Sequence, residues 1–411
     1  MPHKNEFLNL DNTANAFAYK TDKELIASKW LFTLMKMGIL VKLGANILPF
    51  LIEIGLPIKK LIKKTLFKQF VGGETLEKTS SVCEKLNNHN VQVILDYGIE
   101  GGEYSDEKYE QATDEFIDVI NYASKNKNTP FISIKITGLI SFSLLERLNI
   151  SIGDATSNTI FNDFAPIIQR LPEKDKLDWD KLNIRISRIC KKASESGIGV
   201  MIDAEESWIQ DPIDFITMSM MEQYNKSNVV VYNTIQLYRT DRLSFLKHSY
   251  EESVRKAHLL GVKLVRGAYM EKESKRANQL GYNNPIQPTK FATDKDYNEA
   301  LTYCIERIEK ISIIVASHNE ESSLKAANML FDLSEKTNHQ HLHFSQLYGM
   351  SDNLTFNLAN AGYNASKYLP FGPVEEVIPY LMRRAQENSS LSGQTGRELK
   401  LIIQECNRRG I

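Results

Sequence analysis

The run GVKLVRG, from Gly261 to Gly267, decides the fold. Its apolar, β-branched core is typical of a buried strand, it ends in a basic residue and a glycine, and a charged segment with helical periodicity follows. The same unit recurs seven more times along the chain. The other runs are VQVILDY from Val91, PFISIKI from Pro130, GVMIDAE from Gly199, VVVYNTIQL from Val229, SIIVASHN from Ser312, HLHFSQL from His341 and SKYLPF from Ser366.

Eight strand and helix units predict a closed parallel barrel. Each connection is long enough for a right-handed crossover, and no run carries a hairpin turn. A doubly wound open sheet is the alternative, but its nucleotide-binding version requires G-x-G-x-x-G after a strand, and neither that string nor G-x-x-x-x-G-K-[ST] occurs. We therefore predict an α/β fold of the (β/α)8, TIM type, with residues 1–75 as an N-terminal helical arm and residues 76–411 as the barrel.

Composition disfavours several classes of protein. The chain has 50 basic and 51 acidic residues. It therefore lacks the excess positive charge that would indicate nucleic-acid binding. The four cysteines form no CxxC pair, which disfavours a disulfide framework and a thiolate metal site and indicates a reducing compartment. The N-terminus is polar and contains acidic residues, unlike a secretory signal or a basic transit peptide. These features together predict a cytoplasmic location.

The arm contains the most apolar part of the chain, residues 30–70. Charged residues interrupt it before about 20 uncharged residues accumulate, so we expect no transmembrane helix. Within it, residues 57–70 (PIKKLIKKTLFKQF) place apolar side chains at helical spacing with five lysines around them. Such a helix either lies on a membrane surface or docks on its own domain with its lysines in solvent, and the sequence leaves both open.

Polar side chains occur at nearly every predicted strand end. Barrel enzymes carry their chemistry at the carboxyl ends of the strands, and a charge placed there is costly unless it is paired or hydrated. Each residue alone has a structural explanation as an ion pair, but together they predict a polar, ligand-binding mouth. The residues are Glu100, Lys135, Asp203, Glu205, Gln236, Lys263, Arg266, His318, Asn319, Gln346 and Tyr368.

Three spaced histidines, His339, His341 and His343, resemble a set of metal ligands. Alternation along a strand puts only the last two on one face, and no third ligand or HExxH pattern accompanies them. We therefore predict that the protein holds no metal.

The helix predicted after Pro373, VEEVIPYLMRRAQEN, has an unusual arrangement. One apolar stripe leaves Tyr380 and the charged residues Arg383, Arg384 and Glu387 largely on other faces. They form either an exposed charge network or, if the helix lies over the barrel mouth, an inward arginine pair suited to a carboxylate.

Several of these segments resemble the proline dehydrogenase family: KLVRGAY, ATDKDY, ASHN, YLPFGP and YLMRRAQENSS, in this order, with IKITGL, DAEE and IQLYR before them. The resemblance implies an FAD-dependent barrel that oxidises L-proline to 1-pyrroline-5-carboxylate. It implies a catalytic pair, a set around the substrate and a set around the cofactor, with Glu100 orienting Lys135. The pair is Asp203 and Lys263; the substrate set is Lys135, Tyr368, Arg383, Arg384 and Glu387; the cofactor set is Ala204, Gln236, Arg266, Gly267, Ala268, Lys290, Ser317 and His318.

The resemblance also implies that electrons pass to a membrane quinone. It suggests peripheral contact with an inner membrane, bacterial or mitochondrial according to the source, and leaves the oligomeric state open. Many bacterial relatives have arginine in place of Lys263 and an aromatic residue in place of Met270, which bears on the flavin potential and on stacking. Tyr368 should exclude a 4-hydroxyl group. Two alternatives remain: an aldolase-like Schiff base on Lys135 or Lys263, and a membrane-docking protein with an inert barrel.

Overall fold

A computed structural model describes residues 8–36, 62–98, 103–152, 164–334, 336–389 and 394–411. Its eight strands form one closed, all-parallel barrel in chain order, completed by pairing of the last strand with the first. Each of the eight predicted runs overlaps one of these strands, so the predicted fold class is confirmed. The strands are β1 Gln92–Tyr97, β2 Phe131–Ile134, β3 Gly199–Ile202, β4 Val231–Gln236, β5 Leu260–Val265, β6 Ile311–Ala316, β7 Leu342–Leu347 and β8 Ala365–Phe371.

Helices connect the strands and extend the chain at both ends. Before the barrel lie α1 Thr13–Ala16, α2 Asp22–Lys36, a π-helical turn Lys63–Phe67 that continues into α3 Lys68–Phe70, and α4 Leu76–Asn87. The barrel helices are α5 Asp106–Ser124, α6 Phe142–Ile152, α7 Phe164–Gln169, α8 Glu173–Ser196, α9 Ser207–Tyr224, α10 Arg242–Arg255, α11 Met270–Leu280, α12 Lys290–Ile305, α13 Glu320–Ser334 and α14 Asp352–Asn360. After β8 come α15 Val374–Ser389 and α16 Gln394–Arg409.

The apolar core has two layers because successive strand residues point to opposite faces. A large cluster between strands and helices includes Val93 and Leu95. A smaller one, which includes Ile94, Met201 and Tyr368, fills the inside of the barrel. The interior is therefore packed below and open only at its mouth.

The arm packs on the last two helices. Phe32 of α2 and Phe70 of α3 are buried in one cluster with Leu381 of α15 and Ile402 of α16. In the lysine-rich segment, residues 57–61 lie outside the described ranges. Beyond them, Phe67 is buried while the three lysines at 63, 64 and 68 are exposed, as expected for docking on the chain's own domain. Within the described ranges, no helix is long and apolar enough to cross a membrane.

Candidate active site

A cavity of about 680 Å3 opens at the carboxyl ends of the strands. Its volume lies within the range of small-molecule and cofactor sites. All members of the predicted catalytic, substrate and cofactor sets line it except Glu387, which belongs to α15 but whose side chain lies outside the described part of the chain. Of the predicted strand-end residues, Glu205 does not line it. Glu100 also lies outside the described residues. The structure thus brings together side chains from all parts of the barrel sequence.

A buried ion pair forms the centre of this cavity. Lys263 Nζ donates a short hydrogen bond to Asp203 Oδ1. Ser133 Oγ donates to the same oxygen at 2.7 Å, and Tyr368 OH donates to Oδ2 at 2.8 Å. The ammonium of Lys263 also lies 5.3 Å from the centre of the Tyr368 ring. Asp203 therefore helps to fix the positions of Lys263, Ser133 and Tyr368.

Charges around Asp203 outweigh the cost of burying it. Burial disfavours the carboxylate, but Lys263, Lys135 and the hydrogen bonds together lower the pKa of Asp203 below its ordinary value. Burial and the Asp203 carboxylate raise the pKa of Tyr368 well above its usual range. At neutral pH the site therefore contains a carboxylate at Asp203 and a neutral phenol at Tyr368 that donates to it.

The helix α15 covers the mouth and directs its arginines inward. Val377 and Leu381 are buried in the cluster shared with the arm. Arg383 and Arg384 line the cavity, and Arg384, next to this buried face, is only 5% exposed. The guanidinium carbon of Arg384 lies 5.2 Å from the ring centre of Tyr380, another cavity residue. The sequence left open whether these arginines face solvent or the barrel mouth, and in the structure they face the mouth.

The lobe of the cavity after β5 presents cations held in place by a carboxylate. Arg266 donates to Asp294 at 2.7 Å and to Ser317 Oγ at 2.7 Å, and its guanidinium lies 4.3 Å from the Tyr297 ring centre. Lys290 Nζ donates to the other Asp294 oxygen at 2.5 Å. This arrangement can bind a phosphate.

Gly267 allows the backbone to approach this lobe closely. Its φ of +139° is rare for other residues, and a Cβ atom there would lie 2.4 Å from the Tyr238 ring. A larger residue would move the turn that carries Arg266 and Ala268.

His318 is held from behind by residues that sequence reasoning did not include in the site. Its Nδ1 lies 2.8 Å from Ser351 Oγ, and the Ser351 N–H donates a short bond to Glu398 of α16. Burial and the nearby Arg384 guanidinium, with other cations, lower the pKa of His318 to about 3. The imidazole is therefore neutral and presents one donor and one acceptor.

Gln236 has an unsatisfied group. Its Nε2 donates to the Glu205 carbonyl at 3.0 Å, while its buried Oε1 has no hydrogen-bond partner within the described ranges. This acceptor is therefore available to a donor on a ligand or to a water molecule.

Glu205 lies next to Gln236, behind the residues that line the cavity, and its side chain supports the turn after β2. Its carboxyl accepts from the Thr137 N–H at 3.1 Å and from the Thr137 hydroxyl at 2.5 Å. Burial raises the pKa of Glu205 to about 8, although the Thr137 hydrogen bonds oppose the shift. Because Thr137 follows Lys135 closely, Glu205 contributes to the site by positioning and not by contact.

Sequence reasoning missed several lining residues, including Asp96, Asp294, Ser351, Tyr380 and Glu398. Asp96 lies inside a predicted strand and Asp294 inside the quoted ATDKDY motif, so their positions could have suggested a role. Ser351 and Glu398 carry no local signal, because they meet only when α16 packs against the loop after β7.

A closed parallel barrel with fixed charges around a cofactor-sized mouth defines a (β/α)8-barrel enzyme with its site at the carboxyl ends of the strands. A family model described as proline dehydrogenase matches residues 79–397. This chain belongs to the proline dehydrogenase family and is an oxidoreductase of that family. The family predicted from the sequence motifs is confirmed.

Individual relatives agree with the family match. Proline dehydrogenase 1, mitochondrial, of Dictyostelium discoideum is 33% identical over 98% of this chain and 76% of its own length. Hydroxyproline dehydrogenase of Xenopus laevis is 33% identical over 85% of this chain and 78% of its own. A solved proline utilization A (PutA) from Bdellovibrio bacteriovorus, inactivated by N-propargylglycine, shares the fold with a TM-score of 0.67 and 21% identity. The match covers 82% of this chain but only 34% of the PutA chain.

Proposed function

We propose that this chain oxidises L-proline to 1-pyrroline-5-carboxylate with FAD as its cofactor, the first step of proline catabolism. The observation that carries the proposal is the convergence of the two α15 arginines and the Asp203–Lys263 pair on one cavity. A substrate with a carboxylate and a ring nitrogen fits between fixed cations and a neutral phenol.

The residues of the cavity fit FAD on three counts. The unpartnered Gln236 Oε1 would accept from the flavin ring. Arg266 and Lys290 supply cations for the pyrophosphate, and Gly267 permits the close backbone approach. Ala204, Ala268, Ser317 and His318 complete the cofactor wall. FAD, when bound, supplies the oxidising power by accepting a hydride.

The chain's own residues bind and orient the substrate. Arg383, Arg384 and Lys135 would hold the carboxylate, with Glu387 of α15 as a further substrate residue by its family position. Tyr368, fixed by Asp203, would pack against the ring where a 4-hydroxyl group would lie. Asp203, with its lowered pKa, is suited to holding charge and poorly suited to taking a proton from an amine.

The competing Schiff-base function is disfavoured by the geometry of Lys263. Its Nζ atom is held in a buried ion pair with the Asp203 carboxylate and is therefore not available to attack a carbonyl.

We further propose that a membrane quinone takes the electrons onward and that the arm, with its exposed Lys63, Lys64 and Lys68, contacts the lipid surface peripherally. The location would be the mitochondrial inner membrane in a eukaryote, which matches the names of relatives from Dictyostelium discoideum and Arabidopsis thaliana. In a bacterium it would be the cytoplasm or the cytoplasmic face of the inner membrane.

The test is the absorption spectrum of the purified protein. A flavin band that bleaches when L-proline is added anaerobically is expected. The Arg384→Met variant should retain the band but need at least about tenfold more proline, because one charge-assisted contact is worth about 1.5–3 kcal/mol. Colourless protein, or a flavin that proline does not bleach, would refute the proposal.

A further inference from the structure

A second cavity, of about 290 Å3, lies between α2 and the segment 63–70 of the arm. It is lined by Tyr19 and Tyr348, by lysines such as Lys20 and Lys68 and by Glu24, and the exposed Trp30 lies at its rim. None of these residues belongs to the first cavity. The second cavity is therefore a separate site.

The rim of this cavity continues into an exposed apolar stripe. Ile26, Trp30 and Leu34 are 38%, 66% and 43% exposed, and their spacing of four residues places them along one face of α2. An aromatic and cationic pocket that opens onto an apolar stripe suits an amphiphile with a flat, polar head and an apolar tail.

The wall between the two cavities is one loop thick. Leu347 and Ser351 line the first cavity, and Tyr348 lines the second. Because consecutive Cα atoms lie about 3.8 Å apart, this short loop forms part of the wall of both cavities.

A row of buried charges also crosses this wall. Lys20, which lines the second cavity, has its Nζ atom 3.6 Å from Asp352. Asp352 in turn lies 2.8 Å from Lys367, the neighbour of Tyr368 in the first cavity, and accepts from Tyr19 OH at 2.8 Å. Lys367 is 0% and Asp352 2% exposed. Burying such a row is expensive, and it provides ionisable groups from the second cavity to strand β8, whose Tyr368 lines the first cavity.

We propose that the second cavity binds the head of a quinone, the electron acceptor, with its tail along the stripe of Ile26, Trp30 and Leu34. This inference rests on the proposed function. Lysine ammonium groups there donate to the quinone oxygens. The reaction balances: oxidation of the reduced cofactor releases two electrons and two protons, and conversion of the quinone to quinol takes up two of each. The electrons cross the loop, and the protons exchange through Lys20, Asp352 and solvent.

Binding can be measured without turnover. Trp30 lies on the rim, whereas Trp179 is 4% exposed and Trp208 is partly buried. Titration with ubiquinone-1 should quench tryptophan fluorescence to saturation. The Trp30→Phe variant should lose most of that signal. Linear, unsaturable quenching, or saturable quenching unchanged in Trp30→Phe, would overturn the inference.

A cavity-filling variant provides the decisive comparison. Ala27 is exposed on α2 and lines the cavity, so Ala27→Phe should fill it without disturbing the core. Lys23→Phe adds the same ring on the same helix outside the cavity. We expect Ala27→Phe to weaken ubiquinone-1 binding at least about tenfold, as blocking one favourable contact of about 1.4 kcal/mol would do. Lys23→Phe should bind as the wild type does.

Rapid mixing then separates this inference from the proposed function. L-Proline should bleach the flavin of Ala27→Phe at the wild-type rate, whereas reoxidation by ubiquinone-1 should slow at least about tenfold. Failure of proline to bleach the wild type would refute the proposed function itself. Reoxidation of Ala27→Phe at the wild-type rate would overturn only the quinone site. If Ala27→Phe lost binding to phosphatidylserine vesicles but kept its affinity for ubiquinone-1, the quinone site would also be overturned. The cavity would then hold a lipid head group.

Discussion

Replacement of Asp203 by asparagine tests the charge at the centre of the site. In the structure this carboxylate accepts from Lys263, from Ser133 at 2.7 Å and from Tyr368 at 2.8 Å. Asparagine has nearly the same shape and can keep its oxygen toward Lys263 and Ser133. Its amide would face the Tyr368 hydroxyl, which can turn to accept. The variant therefore removes the charge and preserves the packing.

The expected loss follows from the difference between charged and neutral hydrogen bonds. Charged bonds contribute about 1.5–3 kcal/mol and neutral ones about 0.5–1.5, so the Ser133 and Tyr368 contacts lose about 2 kcal/mol together. Loss of the opposite charge at Lys263 brings the total to about 3 kcal/mol. The neutral asparagine no longer carries the free-energy cost of burying a carboxylate, and this offsets part of the loss, leaving about 2–3 kcal/mol. If that loss falls on the transition state, kcat/KM for L-proline drops about 30- to 150-fold. Tyr368→Phe, which removes one hydroxyl, should cost only about 1 kcal/mol, or about fivefold.

The assay is anaerobic reduction of the bound flavin by L-proline in a stopped-flow instrument, with circular dichroism to show that each variant is folded. Because the pKa of Asp203 is lowered, the carboxylate is present in the wild type throughout the range of about pH 6–9. The defect of Asp203→Asn should therefore not change with pH in this range. A variant within about threefold of the wild type, or a defect that grows as the pH rises, would refute the reasoning.

Three further variants test other parts of the site. The pKa of Glu205 is raised to about 8, above its unfolded value of about 4.5, so the stability it contributes is complete below about pH 4.5 and is lost as the pH rises toward 8. The Tm of the wild type should therefore fall more than the Tm of Glu205→Gln between about pH 6 and 9. Equal falls in the two proteins would contradict this. Gly267→Ala places a Cβ atom 2.4 Å from the Tyr238 ring. The resulting strain of about 1–3 kcal/mol should weaken FAD binding, measured by equilibrium dialysis, at least about tenfold. Unchanged affinity would show that the turn moves without loss of the binding site. Tyr368→Ser should raise the ratio of kcat/KM for 4-hydroxy-L-proline to kcat/KM for L-proline by at least about tenfold, because a pocket usually discriminates by that factor for one small group. An unchanged ratio would show that Tyr368 does not determine substrate choice.

The strands and their polar ends could be predicted because both are local patterns. A buried parallel strand is apolar along its whole length, so the side chain at its carboxyl end stands out, as Lys135 and Gln236 do. The direction of Arg383 could not be decided in this way. An exposed helix face and a face turned over a ligand cavity have the same polar pattern, and only packing distinguishes them.

Other contacts had no signature at all. Ser351 and Glu398 are 47 residues apart, and their hydrogen bond depends on where α16 lies. The same holds for Lys20 of the arm and Asp352 of α14.

By itself, the sequence determined the number and order of the strands, the polarity of their carboxyl ends and the family, since each depends on residue type and spacing along the chain. Tertiary structure alone decided that α15 lies over the mouth, that α16 supports His318 through Ser351, and that the arm encloses a second cavity against the loop after β7. These features depend on how separate apolar surfaces pack together. That packing is set by shape and burial over the whole molecule, and no short segment records it.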